Sequence, residues 1–484
     1  MFKKFVLLAC FFALLVTKAD ASHLMGGEIT WACQGGGQYI FTLKLYRDCN
    51  GAAVPPLVNM DVANLPGTTS ITLNLVSQND ISPVCNAAGP SITCADAMAM
   101  PGWPSSSTPV TGAVQETTYQ SGLVTLSGVP PPAGWVFTYT GCCRNGSISN
   151  LQSPAAQGYT MRAVMYNYNG QNASPCFDSS PKFLELPSTV ICLGTSFSYN
   201  HNAYDPELDS LNYSWAEPLD DYSVSYNPPT EPVPLLFTSG YSYNSPLPGT
   251  LQNPANIPAT INPVTGEITF TSHTQGSFVT VVKVEAWKCG QLVAEIYREM
   301  QIVLLPCASN TSPSVTYTSY QDTVVAGTTV NFTLNASDPD LLADGVTPQS
   351  LSISASGNQF GAGFTNAAAG CSNPPCATLS PAPPASAPSN TSTTFNWQTS
   401  CSHISTGAGC SSNANTYTFV FKVKDDFCPA PAEKISTVSI TVLAPPLVAS
   451  PQPRCVAVQP NGDVVLTWTP PADTAGTFNS YQIF

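Results

Sequence analysis

The chain has 484 residues, of which 9% are charged (15 Lys and Arg against 29 Asp and Glu, formal net charge −14), 43% are hydrophobic and 45 are proline. Disordered chains combine low hydrophobicity with high charge, and helical proteins need Glu and Lys on their wet faces and few prolines, so both classes are disfavoured. Nucleic acid is excluded as a partner, because phosphate binding draws on clustered Lys and Arg and no basic cluster is present.

In chain order, residues 1–21 read as a secretory signal peptide. Lys3 and Lys4 form its basic start, Phe5 to Val16 its apolar core and Ala19-Asp20-Ala21 its cleavage site. Cleavage before Ser22 would remove three lysines and one aspartate, taking the net charge from −14 to −16. No later stretch approaches the ~18 apolar residues of a transmembrane helix. Strands are expected wherever apolar and polar residues alternate with period 2. Such runs are Tyr39, Phe41, Leu43 and Leu45; Phe278, Val282 and Val284; Val330, Phe332 and Leu334; Tyr417, Phe419, Phe421 and Val423; and Val464, Leu466 and Trp468. Each is short and bounded by Gly, Pro, Asn or Asp, the pattern of β-sandwich strands. The fold class expected is therefore all-β, a tandem array of sandwich domains.

Composition sets the boundaries. A soft one falls at Leu186-Pro187, a second at Ser309-Asn310-Thr311-Ser312-Pro313, and a stiff, proline-spaced linker runs from Ala444-Pro445-Pro446 to Pro451-Gln452-Pro453. The expected domains are 22–186, 187–308 and 313–444, followed by a fragment at 453–484. That fragment resembles the first strands of a fibronectin type III domain, and is expected to be the start of one that continues beyond Phe484.

Of the 17 cysteines, Cys10 belongs to the signal peptide, leaving an even set in a secreted chain, for which disulfides are the expected state. The candidates are Cys33, Cys49, Cys85, Cys94, Cys142, Cys143, Cys176, Cys192, Cys289, Cys307, Cys371, Cys376, Cys401, Cys410, Cys428 and Cys455. Connectivity is open. Pairs considered are Cys371 with Cys376, Cys401 with Cys410 and Cys192 with Cys289, while adjacent Cys142 and Cys143 are expected to find partners elsewhere, since their direct union closes a strained ring.

Three motifs stand out in the first domain: SHLMGGEITW from Ser22, TLKLYRDCNG from Thr42 and GCCRNGSISNL from Gly141. With CLGTSFSYNHNAYDPELDSLNYSW from Cys192, INPVTGEITF from Ile261 and the segment from Ser277 to Leu305, they resemble the N-terminal region of large surface proteins of gliding Bacteroidota, the gliding-motility-associated cargo of type IX secretion. The resemblance implies secretion to the outer cell surface, a non-catalytic role in attachment or gliding, and the type IX export machinery as a partner. The family more often carries Asp-Gly where this chain has Glu207-Leu208. Asp205-Pro206-Glu207-Leu208-Asp209 also resembles the DPD-type turn of cadherin-like domains, and Asp338-Pro339-Asp340 with Asp344 repeats the theme. Alternating carboxylates on a turn supply part of the six to eight oxygens calcium takes, so Asp205, Glu207, Asp209, Asp338, Asp340 and Asp344 are candidate calcium ligands. The same residues are also ordinary turn formers that bond their own backbone.

No catalytic motif is found: there is no Gly-x-Ser-x-Gly elbow, His-Glu-x-x-His helix or phosphate-binding glycine loop. The function expected is that of an adhesin or a structural surface component. The alternatives are a carbohydrate-binding protein for polysaccharide capture, with Trp103 in the loop Pro101-Gly102-Trp103-Pro104 as candidate contact, and the accessory region of an enzyme whose catalytic domain lies beyond residue 484. Trp287 and Trp468, on alternating strands, are assigned to cores. A surface polysaccharide or a protein is the expected ligand.

Overall fold

A computed structural model describes residues 24–49, 54–83, 113–170, 178–187, 190–222, 233–307, 310–404, 414–428, 430–445 and 452–469, together with Cys85, Cys94 and Ser480. The signal-peptide reading, Trp103, Cys176 and Cys410 lie outside the described residues. The protein is all-β, built of packed β-sheets and stapled by disulfides.

The first unit contains β1 (Leu24–Gly35), β2 (Gln38–Asp48), β3 (Leu57–Ala63), β4 (Ser70–Asp80), β5 (Val114–Ser121), β6 (Val124–Thr125), β7 (Trp135–Cys142), β8 (Gly158–Met165) and β9 (Lys182–Phe183). It continues through β10 (Val190–Cys192), β11 (Ser196–Asn200), β12 (Ala203–Tyr204), β13 (Ser210–Trp215), β14 (Ile257–Ile261), β15 (Glu267–Thr271), β16 (Gly276–Lys288) and β17 (Gln291–Leu305). The main sheet runs β1-β2-β5-β4-β3-β7-β8-β17-β16-β13. β17 pairs with β16 along one edge, and with β8, β1 and β10 in succession along the other, so the path from β1 round to β8 closes on β17.

Closure corrects the expected boundary at 186/187. Strands from residues 22–186 and 187–308 share one sheet and one core, in which Trp31, Phe41 and Phe137 lie with Phe278, Val282 and Ile296. The long-range pairing of β1 with β17 leaves no local mark in composition. One residue does register it. Gly26 sits at φ +148°, and a Cβ there would stand 1.9 Å from the Glu299 carbonyl oxygen, so only glycine permits this crossing.

The motif residues converge on that crossing. Arg298 of β17 ion-pairs with Glu28 of β1, and Arg144, from the loop after β7, pairs with the neighbouring Glu299; all four are buried. The remaining donors are satisfied. Arg298 Nη1 donates to the Glu185 carbonyl at 2.8 Å and its guanidinium lies 4.1 Å over the Phe183 ring, while Arg144 donates to the carbonyls of Gly158 and Leu219. Tyr46 donates to Glu28 at 3.1 Å. Paired and hydrogen-bonded in this way, buried charges fix strand register, and losing one partner would strand the other in an apolar surround. The sequence motifs therefore encode a structural latch.

The second unit, β18 (Ser314–Tyr317) to β26 (Glu433–Leu443), is a sandwich that falls within the expected 313–444. It also contains β19 (Thr323–Val325), β20 (Thr329–Ser337), β21 (Ser350–Ser356), β22 (Thr378–Ser380), β23 (Ala385–Pro388), β24 (Asn390–Gln398) and β25 (Ala414–Lys424). One sheet is β18-β20-β24-β22 and the other β19-β26-β25-β21-β23, closed over Phe332, Phe360, Phe395, Trp397, Phe419 and Phe421. β27 (Gln452–Val458) and β28 (Val464–Thr469) form a hairpin with Val456, Val458 and Val464 exposed and Trp468 half-buried, so neither strand buries the core face its alternation implies.

The units are tied together. Ser198 Oγ donates to the Ile435 carbonyl and accepts from the Ile435 amide, Asn200 donates to Thr437, and Lys422 pairs with Glu185 at 2.8 Å. Cys85 of the first unit is bonded to Cys428 of the second. Among the described residues the other disulfides are Cys49–Cys94, Cys142–Cys143, Cys192–Cys307 and Cys371–Cys376, with Cys33 and Cys289 also disulfide-bonded. Cys192 thus pairs with Cys307 instead of Cys289, because the parallel pairing of β10 with β17 brings Cys192 opposite Leu305, two residues before Cys307. Cys142 and Cys143 pair with each other across a cis peptide bond, against expectation. Cys401 is free and exposed.

Candidate functional site

Both acidic turns adopt the same local device. Asp205 Oδ1 accepts from the amides of Glu207 and Asp209 at 3.0 and 3.1 Å, and Asp338 Oδ1 accepts from the amide of Asp340 at 2.9 Å. This is the backbone-bonding turn that Asp-Pro sequences favour. At Leu208 the backbone takes φ +63°, the left-handed region suited to glycine. A further turn, Asn262 to Gly266, is bonded to β13, where the Tyr213 amide donates to the Pro263 carbonyl.

Around the first turn the acids cluster, with Asp178 and Asp205 buried and Glu207 half-buried. Asp178, absent from the sequence reading, joins Asp205, Glu207 and Asp209, and the Lys288 ammonium lies among them, 3.0 Å from Asp178 and 2.9 Å from Asp209. The Lys288 side chain has no exposed surface. Burial opposes its charge, but the carboxylates of Asp178 and Asp209 outweigh burial and hold the ammonium above its usual pKa. Burial pushes Asp178 well above the ordinary carboxylate range, less the attraction of Lys288; burial and then the Asp178 and Asp209 charges do the same to Asp205. Asp205 Oδ2 and Glu207 Oε2 have no hydrogen-bond partner. The cation this turn faces is the chain's own lysine.

Around the Asp338 turn no such cation enters among the described residues. Asn310, in the linker, donates to Asp425 Oδ2 at 2.9 Å and accepts from Gln349 at 2.8 Å; Asp340 Oδ2 accepts from the amide and hydroxyl of Thr311. Asp425 Oδ1 accepts from the amides of Phe427 and Ala432. Asp338 Oδ2 and Gln349 Oε1 are buried without partners. Burial, with the nearby Asp338 charge adding, pushes Asp425 up to about 7 against the pull of its hydrogen bonds. Asp344 stands apart, its carboxylate engaged by Val346 and Thr347. These oxygens are not drawn close: among the described residues, the one group of three or more with ligand atoms within 4.8 Å of one another is Cys49, Asp80 and Cys94, whose cysteines are already bonded together.

Between the units lies a cleft of about 450 Å³ whose lining includes Tyr204, Asp205, Trp287, Asn358, Asn415 and Tyr417. Trp287, assigned to a core from its strand, is half-buried and donates to Glu285. Its alternation gave no sign of the cleft, because the facing wall comes from β25, more than a hundred residues away.

No family model and no curated protein matches the chain. Solved structures with some likeness include a chimeric titin Z1Z2 carrying a decorin KLER peptide (11% identity, 55% of this chain and 97% of that one, TM-score 0.14). Others are the surface-layer protein SbsC, domains 1–6 (11% identity, 93% and 58%, TM-score 0.15), and a SusE-like surface-located polysaccharide-binding protein from the Bacteroides thetaiotaomicron heparin utilisation locus (10% identity, 89% and 56%, TM-score 0.16). At such scores the likeness carries no functional meaning. No helix of the described residues is long and apolar enough to cross a membrane.

Proposed function

We propose that the chain is a non-catalytic, secreted surface protein, an adhesin or structural component of attachment or gliding, in which two β-units are held as one stiff element. The observation that carries this reading is the junction: a disulfide, a partly buried ion pair and the Ser198 hydroxyl bonded twice to the Ile435 backbone join the units, as a connection under tension requires. The motif resemblance adds the setting, with type IX export machinery as a partner. Calcium is the proposed cofactor at the Asp338–Asp340 turn, where Asp338, Asp340, Asp425, Asn310 and Gln349 would supply oxygens; the buried, unpartnered Asp338 Oδ2 and Gln349 Oε1 fit a cation that draws them together. Bound in the linker, it would stiffen the junction. The test is attachment by cells whose copy lacks residues 22–444. Lost attachment with intact export of the remainder is expected, and undiminished attachment would contradict the reading.

The cleft favours a second reading, polysaccharide capture, because it combines Trp287 and Tyr204 with amide and carboxylate groups that bond sugar hydroxyls. A glycan-array signal lost in Trp287→Ala would favour this reading over the first.

A further inference from the structure

We propose that Lys288 and Asp178 form an intramolecular amide cross-link, with Asp209 as the proton acceptor. The three side chains come from separate places, β16, the segment after β8 and the turn before β13, and meet in a pocket where the lysine has no exposed surface and both carboxylates are almost fully buried. Nζ lies 3.0 Å from Asp178 Oδ1, so the nitrogen is held against the carboxyl group it would attack. Both oxygens of Asp209 contact the same nitrogen, at 3.1 and 2.9 Å, the arrangement of a base that takes its proton. Asp205, also buried and with Oδ2 without a hydrogen-bond partner, completes the acidic surround of the lysine.

The chemistry balances without an added reagent. The ammonium passes one proton to the Asp209 carboxylate; the neutral amine attacks Cγ of protonated Asp178; the tetrahedral adduct collapses with loss of the Asp178 hydroxyl. That hydroxyl takes the second proton from nitrogen and leaves as water. One N–C bond forms, one C–O bond breaks, and nothing is oxidised or reduced. Burial raises the pKa of Asp178, which favours the acid form that the attack requires, and shields the site from the water that would reverse the step. An ammonium held charged by its neighbours reacts slowly, so Asp209 is needed to deprotonate it.

The product would be a covalent tie across the first unit. Ser179 Oγ accepts from the amide of Cys33 and Ser180 Oγ from that of Trp31, so the residues after Asp178 lie along β1, while Lys288 ends β16. A permanent link between them suits a chain that bears tension.

The test is mass spectrometry of the full chain, secreted, then unfolded, reduced and alkylated. An intact mass short by one water is expected, with trypsin failing to cut after Lys288 and the peptide Ala163–Lys182 recovered joined to Val284–Arg298. Lys288→Arg restores the full mass, and Asp209→Asn, which retains both reacting groups, does so while keeping the wild-type circular dichroism spectrum. A wild-type chain of full mass that trypsin cleaves after Lys288 overturns the proposal, as does a missing water that maps to other residues. An Asp209→Asn chain that still lacks the water overturns the role of Asp209.

Discussion

The turns at Asp205 and Asp338 begin with the same device, a carboxylate folded back onto the next amides, and differ in what faces them. Both leave a carboxylate oxygen without a hydrogen-bond partner, but the first surrounds a lysine drawn from the end of a long strand and the second the neutral amides of Asn310 and Gln349. Similar turn sequence therefore does not fix cation chemistry. What decides it is whether the tertiary fold delivers a charge of its own.

The comparison can be broken most directly at the lysine. Lys288→Ala removes the cation paired with the buried carboxylates of Asp178 and Asp209 and is expected to destabilise the first unit by about 3–5 kcal/mol in denaturant unfolding. An effect under about 1 kcal/mol would mean that the acids are solvated or protonated without cost. Next in size is the tie between the units. Cys85→Ser together with Cys428→Ser removes a cross-link of sequence separation 343 and is expected to cost roughly 2–4 kcal/mol, read as separate unfolding of the two units where the wild type shows coupled unfolding.

The latch beside the junction supplies a pH-dependent control. His201 is buried, with burial first and the Arg298 charge second pushing its pKa well below the usual histidine value. A depressed histidine contributes stability above the unfolded pKa that is lost as pH falls, here by roughly 1.4 kcal/mol per pH unit below about 6.5. Arg298 Nη1 at 3.4 Å and the rings of Phe183 and Tyr199 face it. His201→Gln should flatten that part of a stability–pH curve, and an unchanged slope would place the acid sensitivity elsewhere. The smallest effect is expected at Leu208→Gly. Relief of left-handed strain, about 1 kcal/mol, is offset by lost side-chain burial and by glycine's greater freedom when unfolded, for a net change within about 0.5 kcal/mol in thermal melts.

Much of the strand pattern was legible, because alternation reports burial directly: Tyr39, Phe41, Leu43 and Leu45 are buried, as are Phe332 and Leu334 and the alternating residues from Tyr417 to Val423. The boundary at 186 was misleading because a sheet closed through β17 depends on pairings between residues some 270 positions apart, such as Gly26 with Met300, which no local window contains. The acid turns could be found from spacing, whereas Lys288, Asp178, Asn310 and Gln349 could not, since each is an ordinary residue of a strand or connection until the fold brings it to the acids. Apposition of Arg298 with Glu28 and of Arg144 with Glu299 was hidden for the same reason, although the motifs that carry these residues were conspicuous.

The contrast between the two turns is tested most directly by calcium binding to the purified chain, by equilibrium dialysis, in the wild type, Asp338→Asn and Asp205→Asn. The expected result is one bound calcium in the wild type that is lost in Asp338→Asn and kept in Asp205→Asn. No binding to the wild type, or loss in Asp205→Asn with retention in Asp338→Asn, would contradict the account.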